Sequence, residues 1–194
     1  MSLMLLGILN AQAAGGGGGG PAYDLLETTT LSSSASSITF DSLTSTYGAD
    51  YAHLQIRAVM RSAGSGYQTS LNMRANGDTG TNYYTHKLSG NGTNVVSQAT
   101  STSRFYLDPG LLEGSTEAGN FSSMVIDILD FANTNKNTTI KGLLGVYGSE
   151  RTSDRSVALF SGLWNNTAAL TSFQLYISSF AAGSRFSIYG IKGA

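Results

Sequence analysis

From residue 53 to residue 58 the side chains change character at every step, within a longer alternation over residues 51–61. Leu54, Ile56, Ala58 and Met60 fall on one parity, and His53, Gln55, Arg57 and Arg61 on the other. A helix brings a face round every 3.6 residues and a strand every two, so this stretch can bury one clean apolar face only as a strand. Leu71 and Met73 against Asn72 and Arg74 repeat the pattern in residues 71–75. Shorter or weaker alternations mark residues 37–41, 82–88, 104–107, 139–147, 156–163, 172–177 and 185–191. Residues 123–131 are apolar on both parities, with Met124, Ile126 and Ile128 on one and Val125, Leu129 and Phe131 on the other. That composition predicts a strand buried between layers.

Turn residues punctuate these runs. Asn76-Gly77-Asp78 predicts a tight hairpin reversal into residues 82–88. Gly90-Asn91-Gly92 and Asp108-Pro109-Gly110 predict two further turns, with a loop over residues 111–120. A polar turn is expected at 133–137 and a charged loop at 148–155. Residues 165–171 predict a single helical turn capped by Asn166. Many short strands with frequent turns predict an antiparallel β-sandwich of jelly-roll type, one domain over residues 22–194.

The body is large enough to bury a core without staples, and it needs to be, because the chain has no Cys. Disulfides, thiol catalysis and Cys-based zinc sites are thereby excluded. Eleven basic and 12 acidic residues leave a net charge of −1, which steers the chain neither to nucleic acid nor to an anionic membrane. No apolar run approaches the ~20 residues of a membrane span. Charged residues make up only 12%, against about 25% in an average soluble domain. Such a surface suits secreted, cell-surface and virion proteins, or surfaces buried against neighbours.

Residues 1–21 read MSLMLLGILNAQAAGGGGGGP. The apolar run followed by Ala11-Gln12-Ala13 imitates a secretion signal, but no Lys or Arg precedes it. A frayed terminus is the second reading, yet large apolar side chains are seldom left in water. The third reading is an assembly arm. Leu3, Met4, Leu5, Leu6, Ile8 and Leu9 would insert into a neighbouring subunit, with residues 15–20 as a flexible tether of mean span about 13 Å. The arm reading is the expectation carried forward.

Chemistry is sparse. His53 and His86 are the only histidines, and neither has a metal-ligand spacing on one element with Asp50 or Asp78. Asp127 and Asp130 would have to face one cleft to act as a glycosidase pair. Three apart on a strand, they are expected on opposite faces, each held by hydrogen bonds. No nucleophile elbow, phosphate loop or calcium loop is present, and no cofactor or metal is expected. Tyr67, Tyr83, Tyr84 and Tyr106 lie in or beside predicted loops, where aromatics among Asn and Gly are suited to binding a glycan or a protein. Trp164, flanked by Leu159, Leu163 and Leu170, is expected in the core.

Five blocks carry a family likeness: YAHLQIR at 51–57, NGDTGTNY at 76–83, VIDILDFANTNK at 125–136, SGLWNNTAALTS at 161–172 and FAAGSRFSIYGIKG at 180–193. In this order they resemble a β-rich domain of tailed, often marine, bacteriophages that is labelled tail-fibre or virion structural protein. The likeness spans most of residues 38–193. It implies a non-enzymatic virion protein, a tail or fibre component joined to other virion proteins through the arm and self-associating as a trimer. It brings no catalytic or cofactor residues. Because only a short arm precedes the domain, a capsid decoration protein is the alternative expectation. A carbohydrate-binding module recognising a host-surface glycan is the other.

Overall fold

The computed structural model describes residues 23–112, 119–147 and 155–193. The proposed arm and most of the charged loop lie outside the described residues. Among the described residues twelve strands form: β1 Tyr23–Thr30, β2 Ala35–Phe40, β3 His53–Met60, β4 Gln68–Ala75, β5 Tyr83–Gly90, β6 Val95–Thr102, β7 Phe105–Leu112, β8 Ser122–Leu129, β9 Thr138–Tyr147, β10 Arg155–Trp164, β11 Phe173–Phe180 and β12 Arg185–Ile191. One short helix, α1, spans Leu43–Tyr47.

The strands make two antiparallel sheets that pack as a sandwich. The larger has the order β1-β12-β3-β8-β9-β10-β5-β6, and the smaller β2-β11-β4-β7. Hairpins β5–β6 and β9–β10 extend the larger sheet beyond β8. Without them, β1-β12-β3-β8 faces β2-β11-β4-β7, and the chain changes sheets at every step except β4 to β7.

The core follows from the alternation. Leu54, Ile56 and Met60 on β3 and Met124, Ile126 and Ile128 on β8 point inward. They meet Leu71 and Met73 of β4, Phe105 and Leu107 of β7, and Phe173 and Leu175 of β11. Trp164 is buried as expected.

Several expectations fail, each for a structural reason. The Asn76-Gly77 turn is left-handed as anticipated, with φ of 50° and 66°, but it closes no hairpin. β4 and β5 belong to different sheets. Asn76 Oδ1 accepts hydrogen bonds from the Thr171 and Ser172 amides (2.8 and 3.0 Å), and its amide donates to the Ala169 carbonyl (2.9 Å). The turn is therefore bound to the approach to β11 rather than to its own return strand. Residues 165–171 form no helix; the Asn166 side chain accepts from the Ala168 amide two residues on (2.9 Å), a local turn that competes with helix formation.

β7 runs through the expected turn at Asp108-Pro109-Gly110 as an edge strand, opposite a register shift between Thr69 and Leu71. Edges and bulges are where a sheet tolerates Pro. β1, β6 and α1 carry too little apolar alternation to have been anticipated. β8 is not sandwiched between layers. Its second parity faces outward, with Val125 and Leu129 each 38% exposed, and Phe131 reaches the core only because Asp130 turns the chain at φ 49°.

Candidate functional site

The outer face of the large sheet departs most from a simple sandwich. An antiparallel sheet with one face in water normally alternates apolar inward with polar outward. Here the registers place Val125 of β8 opposite Leu143 of β9, Leu143 opposite Leu159 of β10, and Leu159 opposite Leu88 of β5. The four form one row across four adjacent strands, all on the outward parity. Leu143, Leu159 and Leu88 are 52%, 59% and 51% exposed. Val157 and Val59 add exposed aliphatic surface in the neighbouring row. Single exposed aliphatics are ordinary, but a contiguous row marks a contact surface.

A polar chain borders the row. The Arg57 guanidinium lies 4.5 Å from the Tyr189 ring centroid and 5.5 Å from that of Tyr23. Its Nε donates to Gln55 Oε1 (2.8 Å), and Gln55 Nε2 donates to Asp127 Oδ1 (2.7 Å). Lys141 Nζ lies 3.7 Å from Asp127 Oδ2. Asp127 is thus held by Gln55 and Lys141. Asp130 stands beyond the strand rather than on its opposite face. It ion-pairs with Lys136 and gives its amide hydrogen to His53 Nδ1 (2.9 Å). The Lys136 hydrogen bond is the main cause holding the Asp130 carboxyl below the usual range. Each carboxyl is thus engaged by its own neighbours.

His53 on β3 and His86 on β5 are four strands apart, or about 19 Å at ~4.8 Å per strand, too far to share an ion. Among the described residues no group of three His, Asp or Glu is placed to hold a metal.

The four tyrosines are not brought together. Tyr83 opens β5 facing inward and is fully buried. Its hydroxyl donates to the Ala75 or Asp78 carbonyl (3.1 and 3.0 Å) and accepts from the Ala75 amide (3.2 Å). Burial pushes its pKa up to about 12. It is a core residue, which corrects the receptor-loop expectation. Tyr84, next in sequence, faces outward on the large sheet. Tyr67 is half-buried in the bend before β4.

Tyr106 lies in β7, on the outer face of the small sheet, in a second cluster that the loop argument missed. Arg104 lies 5.5 Å from the Tyr106 ring and Arg74 5.0 Å from the Tyr176 ring. Arg104 Nε donates to Asn72 Oδ1 (2.6 Å), Arg74 donates to the Tyr176 hydroxyl (3.1 Å), and the Ser70 and Tyr106 hydroxyls share a hydrogen bond (3.0 Å). Neither arginine is ion-paired to a carboxylate among the described residues. The arginine Nε of Arg74 is buried without a partner.

The apolar row had a signal in the sequence. Val125-Ile126, Leu143-Leu144 and Leu159-Phe160 are adjacent large apolar pairs, which in a strand must place one member on each face. Compared with known proteins, the chain matches no family model, no curated protein and no solved structure.

Proposed function

We propose that this chain is a non-enzymatic structural protein of a bacteriophage virion, a tail or fibre component joined to a neighbouring virion protein through residues 3–9. On this reading the sandwich is a jelly roll with two inserted hairpins, an architecture used by viral capsid and lectin domains. The single observation that carries the reading is the Val125–Leu143–Leu159–Leu88 row. A row of half-exposed aliphatics is costly in water and gains ~25 cal/mol for each Å² covered. Symmetry in a trimer would multiply a modest contact into avidity. The five sequence blocks that resemble a phage structural domain favour the same reading.

The experiment is deletion of residues 1–14 followed by particle assembly. The truncated protein should fold but fail to join particles; incorporation at the wild-type level would sink the proposal. Imaging the particle separates a tail component from a capsid decoration protein by where the density sits.

A second reading is supported by the small-sheet cluster. Arg74 and Arg104, each over a tyrosine ring and in no ion pair with a carboxylate among the described residues, offer guanidinium donors to an acidic host-surface glycan. Replacing both by alanine should abolish binding of the isolated body to host cells. Binding that is unchanged, or absent from the wild type, removes this reading.

A further inference from the structure

We infer that in the free chain the outward row of the large sheet is the seat of this chain's own residues 3–9. The inference goes beyond the virion reading, because it concerns the chain before any assembly and stands or falls without it.

The row demands a cover. Among the described residues nothing lies over Leu143, Leu159 and Leu88, each about half exposed. The arm is built to supply one: residues 3–9 hold Leu3, Met4, Leu5, Leu6, Ile8 and Leu9 and no charged side chain. The row itself is also uncharged, with Arg57 and Lys141 only at its margin.

The described chain begins at Tyr23 on β1, at an edge of the same sheet. Tyr23 pairs with Ile191 and Ile191 with His53, and the Tyr23 ring lies against Arg57 on the outward face. From Tyr23 to Leu143 is four strand spacings across the sheet, β1 to β12, β3, β8 and β9. Leu143 lies at the level of Arg57, four residues along from His53. Those steps give about 19 Å across and 13 Å along, or roughly 23 Å in all. Thirteen residues, 10–22, join Leu9 to Tyr23. A Gly-rich coil of that length has a root-mean-square span of about 20 Å. A tether whose mean length matches the span gives the highest effective concentration of one end at the other, so a chain's own arm outcompetes the arm of a second copy at low protein concentration.

The seat has relief. A depression of about 410 Å³ opens around Gly145 and Ser123, with Val59, Val125, Leu143 and Val157 on its aliphatic side and Arg57 and Arg185 on the other. A second, of about 340 Å³, lies beside Leu88 and Leu159. The leucine ridge between them offers alternating knobs and hollows to large aliphatic side chains.

The absence of Cys gives a direct test. In the full chain, Leu5→Cys with Leu143→Cys is oxidised with copper–phenanthroline in dilute solution and read by non-reducing gel and peptide mass. The control pairs Leu5→Cys with Thr39→Cys, which is exposed on the small sheet. A disulfide within one chain, in clear excess over the control, is expected. No excess, or cross-links only between chains, overturns the inference. A second measurement needs no introduced Cys. Amide exchange of residues 3–9 in the wild-type chain should be slowed at least about tenfold relative to Leu143→Ser/Leu159→Ser, as for any locally opening segment. Equal exchange in the two, with both folded by circular dichroism, also overturns it.

Discussion

Asp78→Ala is expected to be among the most damaging single changes outside the core, and its magnitude can be worked from the structure. Asp78 Oδ2 accepts from Trp164 Nε1 and from Asn82 Nδ2, both at 2.8 Å, and Oδ1 accepts from the Gly80 amide at 2.8 Å. Trp164 is buried, so alanine at 78 leaves its indole N–H without a partner. An unsatisfied buried donor alone costs about 1–3 kcal/mol, and hydrogen bonds to a charged group contribute about 1.5–3 kcal/mol each without adding fully. A total loss of about 3 kcal/mol follows. With a urea slope of ~2 kcal/mol per molar, the unfolding midpoint falls by about 1.5 M. A double-mutant cycle with Trp164→Phe isolates the indole bond and should give a coupling of about 1.5 kcal/mol.

The pH dependence gives an independent check. Hydrogen bonds from Asn82 first, then Trp164 and Gly80, hold the Asp78 carboxyl below its usual value. A group with a depressed folded pKa stabilises fully above the unfolded value near ~4 and loses that contribution as pH falls through the folded value. Wild-type stability should therefore decline below about pH 4, while Asp78→Ala lacks that part of the decline. A loss under about 1 kcal/mol with a coupling near zero would refute the reasoning that Asp78 anchors the β4–β5 crossing through Trp164.

Three further outcomes are expected. Gly162→Ala would place a Cβ 2.7 Å from the Phe105 ring and 2.8 Å from Ile140, and a calorimetric melt should register a loss of about 1–3 kcal/mol from overpacking. Asn76→Ala removes the acceptor for residues 171–172 and keeps a left-handed φ of 50° with no compensating side chain; denaturation should show about 2 kcal/mol lost. In the chain lacking residues 1–14, Leu159→Ser on the outward face should leave stability within about 0.5–1 kcal/mol of that parent while lowering binding of a hydrophobic dye.

Period-two alternation in residues 53–60 and 71–75 was enough to assign strands, inward faces and the sandwich class, because parity alone decides which side of a strand a residue occupies. Trp164 was legible as core from its apolar flanks at Leu159, Leu163 and Leu170. Pairing partners were not. The Asn76-Gly77 turn has the backbone of a hairpin, but its fate depended on whether its side chain would bind the return strand or residues 169–172, which lie more than 90 positions away. Tyr83 and Tyr84 read alike beside a turn; only the sheet assignment buried one and exposed the other.

Composition and spacing thus determined the strand content, the cysteine-free and weakly charged body, and an apolar arm on a glycine tether. Only the tertiary structure decided that Val125, Leu143, Leu159 and Leu88 form one exposed row. They sit on four strands, of which β8, β9 and β10 follow one another in the chain while Leu88 on β5 lies far from them; its alignment with Leu159 is a matter of register between strands distant in sequence, which no local stretch encodes.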